Sequence, residues 1–131
     1  MLILTIRTSD PLAEVGLYTE NGEQLGYERW EAHRQLANSI HDKIKHLLAK
    51  QHQKMSAIDG IVCFEGPGSF TGLRIGLSVA NGISYSLQIP IAGSRGKNWL
   101  SSGIKSLCRQ PVQKSVMPYY GAPVHITQPR K

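Results

Sequence analysis

The residues best equipped for chemistry lie in one run: Gly66-Pro67-Gly68-Ser69-Phe70-Thr71-Gly72, continuing into Leu73-Arg74-Ile75-Gly76. Three glycines and a proline in seven residues permit a sharp reversal and let another backbone approach closely. Ser69 or Thr71 can cap a following helix. A glycine turn that opens a helix also offers free N–H groups and the positive end of the helix dipole to an anion. Spacing disfavours nucleotide hydrolysis. A Walker loop needs a lysine after its last glycine, yet Leu73 follows Gly72 and no lysine stands between Asp59 and Lys97. The dinucleotide pattern fails too, because Thr71 stands where its third glycine belongs. By spacing alone this is a tight structural turn.

Other reactive side chains are scattered. His33, His41, His46 and His52 fall eight, five and six apart, not the three or four that put two ligands on one helix face, and His125 is distant; no metal is expected. Ser69 or Ser9 as a nucleophile needs a placed histidine and acid. His33 is the one candidate the layout offers, and nothing fixes its distance. Cys63 and Cys108 form no CxxC pair and read as two reduced thiols of a cytoplasmic protein. Trp30, Trp99, Tyr119 and Tyr120 read as packing or rim residues, since no strand alternates basic and aromatic residues as an RNA-reading sheet does.

The elements that must position these residues fit one core. The chain has 131 residues, 40% of them hydrophobic, which suits one domain and argues against disorder. No apolar run approaches the roughly 18 residues of a membrane span, and the start lacks a basic leader, so a soluble protein with no membrane contact is expected. Lys and Arg number 15 against 9 Asp and Glu, a net charge of +6 that favours polyanionic neighbours. Most of the excess falls near the end of the chain, where Lys105, Arg109, Lys114, Arg130 and Lys131 define an alternative reading as a basic RNA-associating module.

Leu2 to Ile6 reads as a strand buried on both faces. Ala13 to Tyr18 and Leu25 to Trp30 read as an antiparallel pair joined by the turn-forming Asn21-Gly22. From Gln35 to Gln51 the period changes: Leu36, Ile40, Ile44, Leu47 and Leu48 recur three or four apart, which predicts an amphipathic helix. Ile58 to Phe64 reads as an inner strand, Leu73 to Leu87 as a helix, Ile89 to Gly93 as a short strand with an edge proline, and Trp99 to Leu107 as a last helix. The tail from Tyr119 through Ile126 adds a strand or trails. The order predicts an α/β layer fold with a mixed sheet.

The helix after the glycine turn is unusually apolar. Leu73, Gly76, Leu77, Ala80, Ile83 and Leu87 share one side, and Ile75, Val79 and Gly82 widen the apolar arc to roughly 220°, against an ordinary width of about 100° or somewhat more. Ser84 and Ser86 are small polar exceptions inside it. So wide an arc must be covered on two sides, by the sheet and by a neighbouring helix, a second chain, or both.

The run from Gly66 to Gly76 resembles the signature of the TsaB (YeaZ) family. Ile3-Leu4-Thr5-Ile6-Arg7-Thr8-Ser9 resembles that family's first strand. His33-Arg34-Gln35-Leu36 resembles its helix start with one residue fewer, and Pro118-Tyr119-Tyr120 and Ile126-Thr127-Gln128-Pro129-Arg130-Lys131 resemble its end. The resemblance implies half of an actin-like ATPase fold, a mixed five-stranded sheet with helices. It implies a non-catalytic protein without a cofactor, working in tRNA threonylcarbamoyladenosine modification beside a TsaD-like transferase. A TsaE-like ATPase joins that pair, and tRNA is met indirectly. It places the partner interface on the two helices, at Leu36, Ile40, Ile44, Leu47, Leu73, Arg74, Ile75, Gly76, Val79, Ala80 and Ile83. Alone, the same face would self-pair as a homodimer.

Two departures stand out. The family usually has an aspartate where this chain has Arg7, and an arginine cannot organise metal and water; an ATPase or peptidase remnant is the disfavoured alternative. The expected division is a TsaB-like lobe over 1–95 and a shortened remnant helix with a tail over 96–131, the second lobe being absent or shrunk.

Overall fold

The computed structural model of the chain describes residues 1–9, 12–31, 36–68 and 70–109. Within them run β1 (Ile3–Arg7), β2 (Leu12–Tyr18), β3 (Gln24–Glu31), α1 (Leu36–Lys50), a 3₁₀ turn (Met55–Ala57), β4 (Gly60–Gly66), α2 (Phe70–Leu87), β5 (Ile91–Arg95) and α3 (Trp99–Arg109). The expected closing segment lies outside the described residues.

One five-stranded sheet in the order β3-β2-β1-β4-β5 forms the middle layer. β1 pairs antiparallel with β2, and β2 with β3. β1 pairs parallel with β4, and β4 with β5. The sheet is therefore mixed, as the sequence predicts. At the β2–β3 turn Gly22 has φ +86°, a left-handed conformation that glycine adopts without strain.

Strand alternation divides the apolar residues between two faces. On one face Leu4, Ile6, Val15, Leu17 and Ile61 meet Ile40, Ile44 and Leu47 of α1 and Leu77, Ala80 and Ile83 of α2. On the other Ile3, Val62, Phe64 and Ala92 meet Trp99, Ile104 and Leu107 of α3. α3 lies close against the sheet, since a side chain at Gly60 would come within 2.6 Å of Leu107. The helix at 99–109 thus completes the second face of the same sheet.

α1 is also fastened to the outer strand. Trp30 Nε1 donates to Ser39 Oγ at 3.0 Å, Lys43 pairs with Glu28 at 2.8 Å, and Gln51 Nε2 donates to the Leu25 carbonyl at 2.8 Å. Lys43 holds the Glu28 carboxyl below the ordinary carboxylate range.

Candidate functional site

The glycine run acts first as a clasp. β4 ends at Gly66, whose φ of +125° favours glycine, and the Gly66–Pro67 peptide is cis. Gly68 then passes directly over Ser9, and Gly76, two turns into α2, passes over Thr8; a Cβ on either would overlap those residues. The Thr8 hydroxyl donates to the Gly72 carbonyl at 2.7 Å. Thr8 and Ser9 are themselves buried. The glycines thus bring the start of α2 onto the end of β1, a role that calls for close backbone approach and no bound anion. Sequence reasoning named Thr8 and Ser9 within the first-strand resemblance, and Ser9 as a nucleophile candidate, but not as the residues that these glycines pack against.

Arg7 ends β1 beside this clasp. Its guanidinium carbon lies 4.2 Å from the centroid of the Phe64 ring, and its Nε donates to Ser9 Oγ at 3.1 Å. Phe64 meets Trp99 edge-on, with centroids 5.5 Å apart. A stacked cation thus ends β1, where the family resemblance raises the expectation of an aspartate. Ser9 Oγ is therefore an acceptor for Arg7, while Ser69 and His33 lie outside the described residues. Among the described residues no three His, Cys, Asp or Glu side chains gather into a metal-sized group. His41, His46 and His52 are exposed.

The two helices on the first face meet along a seam. Beside it lies an open groove of about 430 Å³ lined by His41 of α1, by Ser78, Val79, Gly82, Ile83, Ser86 and Leu87 of α2, and by Met55. Its apolar wall comes from Met55, Val79, Ile83 and Leu87, with hydroxyls and one imidazole around it. Ser78, Gly82 and Ser86 follow one another at four-residue spacing, so the outer line of α2 is low. Tyr85 stands beside it with 86% of its surface exposed.

This geometry corrects the expected contact residues. Leu36, Ile40, Ile44, Leu47, Leu73, Ala80 and Ile83 are at most 8% exposed and belong to the chain's own core. Gly76 is buried under Thr8. They pack inside the chain, although Ile83 also forms part of the groove wall. Of the expected set, Arg74 is exposed and Ile75 and Val79 are half-buried. The chain's sheet and α1 therefore cover more of the apolar arc than its width suggests, and the outward remainder is the flank of Ile75, Val79 and Gly82. The line of Ser78, Gly82 and Ser86 could have been found in the sequence from its spacing alone.

Among the described residues no helix is long and apolar enough to cross a membrane. Lys105 and Arg109, of the alternative basic set, are exposed on α3. Lys114, Arg130 and Lys131 lie outside the described residues.

Comparison with known proteins matches this fold and motif. The family model for TsaD, tRNA N6-adenosine threonylcarbamoyltransferase, matches residues 30–95. The tRNA threonylcarbamoyladenosine biosynthesis protein TsaB of Escherichia coli (strain K12) is 28% identical over 93 residues, which are 71% of this chain and 39% of that protein. TsaB of Bacillus subtilis (strain 168) is 32% identical over 95 residues, 70% of this chain and 40% of that protein. The chain thus spans about two-fifths of the length of these relatives. The solved structure of YeaZ from Pseudomonas aeruginosa superposes with a TM-score of 0.65 at 31% identity, over 72% of this chain and 43% of that one. RuvC of Thermus thermophilus superposes with a TM-score of 0.51 at 12% identity, over 72% of this chain and 64% of that one, a likeness of fold alone. With half of its residues matched by the TsaD model, and TsaB and YeaZ proteins among its relatives in sequence and structure, the chain belongs to the family of TsaD- and TsaB/YeaZ-like proteins.

Proposed function

We propose that the chain serves tRNA threonylcarbamoyladenosine biosynthesis as a non-catalytic partner of a TsaD-like protein, docking through the seam between α1 and α2. The observation that carries this reading is the outward flank of α2. Ile75 and Val79 are half-buried, Gly82 is exposed, and the groove beside them is open. Apolar surface left beside a low helix line favours close approach by another helix. Arg7, stacked on Phe64 where an acid would serve ATP hydrolysis, supports a role without catalysis. The names of its relatives supply the pathway, and a TsaE-like ATPase and tRNA are met through the partner.

The test uses the chain and the TsaD-like protein of its own source. Val79→Glu places a charge on the seam at a partly exposed position along the margin of the core. It should abolish co-elution in size exclusion and lower tRNA modification to the level without the chain, with an unchanged circular dichroism spectrum. Co-elution and modification at wild-type levels would show that the seam is not the docking face.

A further inference from the structure

The outer line of α3 carries cations and hydroxyls and no acid. Trp99, Gly103, Ile104 and Leu107 are buried against the sheet. At about 100° per residue, the opposite line of the helix holds Lys105 and Arg109, four residues apart, with Ser101 and Ser102 one turn before them. All four are exposed, as is Lys97 in the turn that leads into α3. Glu65 is the last acidic residue of the sequence, and the eight Lys and Arg that follow it have no acid among them. Glu65 itself holds Arg95 at 2.8 Å, and Asp59 accepts from the Leu2 amide. Among the described residues Lys97, Lys105 and Arg109 make no ion pair.

What such a line fits follows from its chemistry. The core of a protein interface is apolar or aromatic and depleted in Lys and Ser, and a membrane-surface helix needs an outward apolar face. α3 has its apolar stripe buried on the sheet. Cations and hydroxyls set along one ridge are the donors that contact nucleic-acid phosphates. We infer that the outer line of α3, with Lys97 at its head, is a contact surface for the phosphate backbone of RNA, without regard to base sequence. The choice of RNA among polyanions rests on the proposed role in tRNA modification, and the inference goes beyond that role in giving this chain a direct contact. α3 lies on the sheet face opposite α1 and α2, so this contact and the docking seam do not compete for one surface.

The test is fluorescence anisotropy of a labelled, unmodified tRNA transcript with the full chain, between about 50 and about 200 mM KCl. Affinity should fall with salt, with a logarithmic slope of about −0.7 to −0.9 for each phosphate contacted. Lys105→Ala combined with Arg109→Ala should weaken binding and flatten that slope by about 1.4 to 1.8, as expected for two lost contacts. Lys105→Arg combined with Arg109→Lys should keep the wild-type slope. Lys45→Ala combined with Lys50→Ala removes the same charge from exposed positions on α1 and should leave the slope unchanged. All these positions are exposed, so the variants should melt as the wild type does. The α3 double variant should still co-elute with the TsaD-like protein. Equal losses in the α1 and α3 variants mean that net charge alone drives binding, and overturn the inference. An unchanged slope in the α3 variant overturns it, as does absence of tRNA binding at about 50 mM KCl. Tighter binding to duplex DNA of the same length, or to phosphatidylserine vesicles, overturns it as well. Each of these results leaves docking intact so long as Val79→Glu abolishes co-elution. A chain that never co-elutes, yet shows the α3-dependent slope on tRNA, overturns the docking reading alone.

Discussion

The Thr8 hydroxyl donates a 2.7 Å hydrogen bond to the Gly72 carbonyl, joining residues 64 positions apart. Gly76 lies against the same threonine, so one small side chain fixes both the height and the direction of α2 above β1. The half-exposed flank of α2 is aimed outward because this contact holds its first turns down.

Gly76→Ala should therefore destabilise the chain by roughly 1–3 kcal/mol through overpacking. Thr8→Ala on its own loses the hydrogen bond, at about 1 kcal/mol. Combined, the two should cost less than their sum, since Thr8→Ala removes the hydroxyl and methyl that a Cβ at position 76 would meet. Urea unfolding of the four proteins measures this, and strict additivity would contradict the clasp.

Position along the seam separates folding from docking. Ile40 is fully buried, so Ile40→Glu should lower stability by on the order of 3–5 kcal/mol, the cost of an uncompensated buried charge. Val79→Glu, at a partly exposed position, should shift stability by far less. Thermal melts decide, and a folded Ile40→Glu variant that merely loses its partner would restore Ile40 to the contact surface.

Lys43 and Glu28 give the α1–β3 contact a pH dependence. Lys43 lowers the Glu28 pKa in the folded chain, so the pair contributes fully above the ordinary glutamate value of about 4.3. The contribution is lost as pH falls through the lowered folded value. Both side chains are partly exposed, which limits the effect to roughly 0.2–1 kcal/mol. Lys43→Met should remove that amount at neutral pH, and wild type and variant should converge in acid. A gap that persists or widens in acid has the wrong sign for this pair.

The two cysteines should differ in reactivity. Burial pushes the Cys63 thiol far up from its ordinary value, while Cys108 is exposed on α3. A maleimide reagent at neutral pH should label Cys108 at once and Cys63 only in denaturant. Mass spectrometry of the native reaction should show one adduct, and Cys108→Ser should show none.

Much of the fold was legible because local signals agreed with one another. Asn21-Gly22 marked the hairpin, and the apolar period of Leu36 to Leu48 marked α1. Boundaries moved where tertiary hydrogen bonds decided them. Asp59 exchanges hydrogen bonds with the Leu2 backbone, so β4 starts at Gly60, not Ile58. The Pro90 carbonyl accepts from Ile61, and β5 starts one residue later, two after the expected Ile89. Ser84, a polar exception on an apolar face, donates to the Ile89 carbonyl at 2.6 Å and closes the end of α2. The candidate interface was legible as a pair of helices but not as a set of contact residues. Periodicity shows that Ile40 and Val79 are both apolar; only packing shows that the sheet covers the first and leaves the second half open.

β3 is the outermost strand beside β2, and Glu28, Arg29 and Glu31 follow closely along it. A neighbouring chain that tried to extend the layer there would meet charges of both signs at Glu28, Arg29 and Glu31 while Lys43 of α1 already holds Glu28. Such charges guard a border against fibre-like growth. Assembly is thereby steered away from main-chain zippering and towards recognition by side chains.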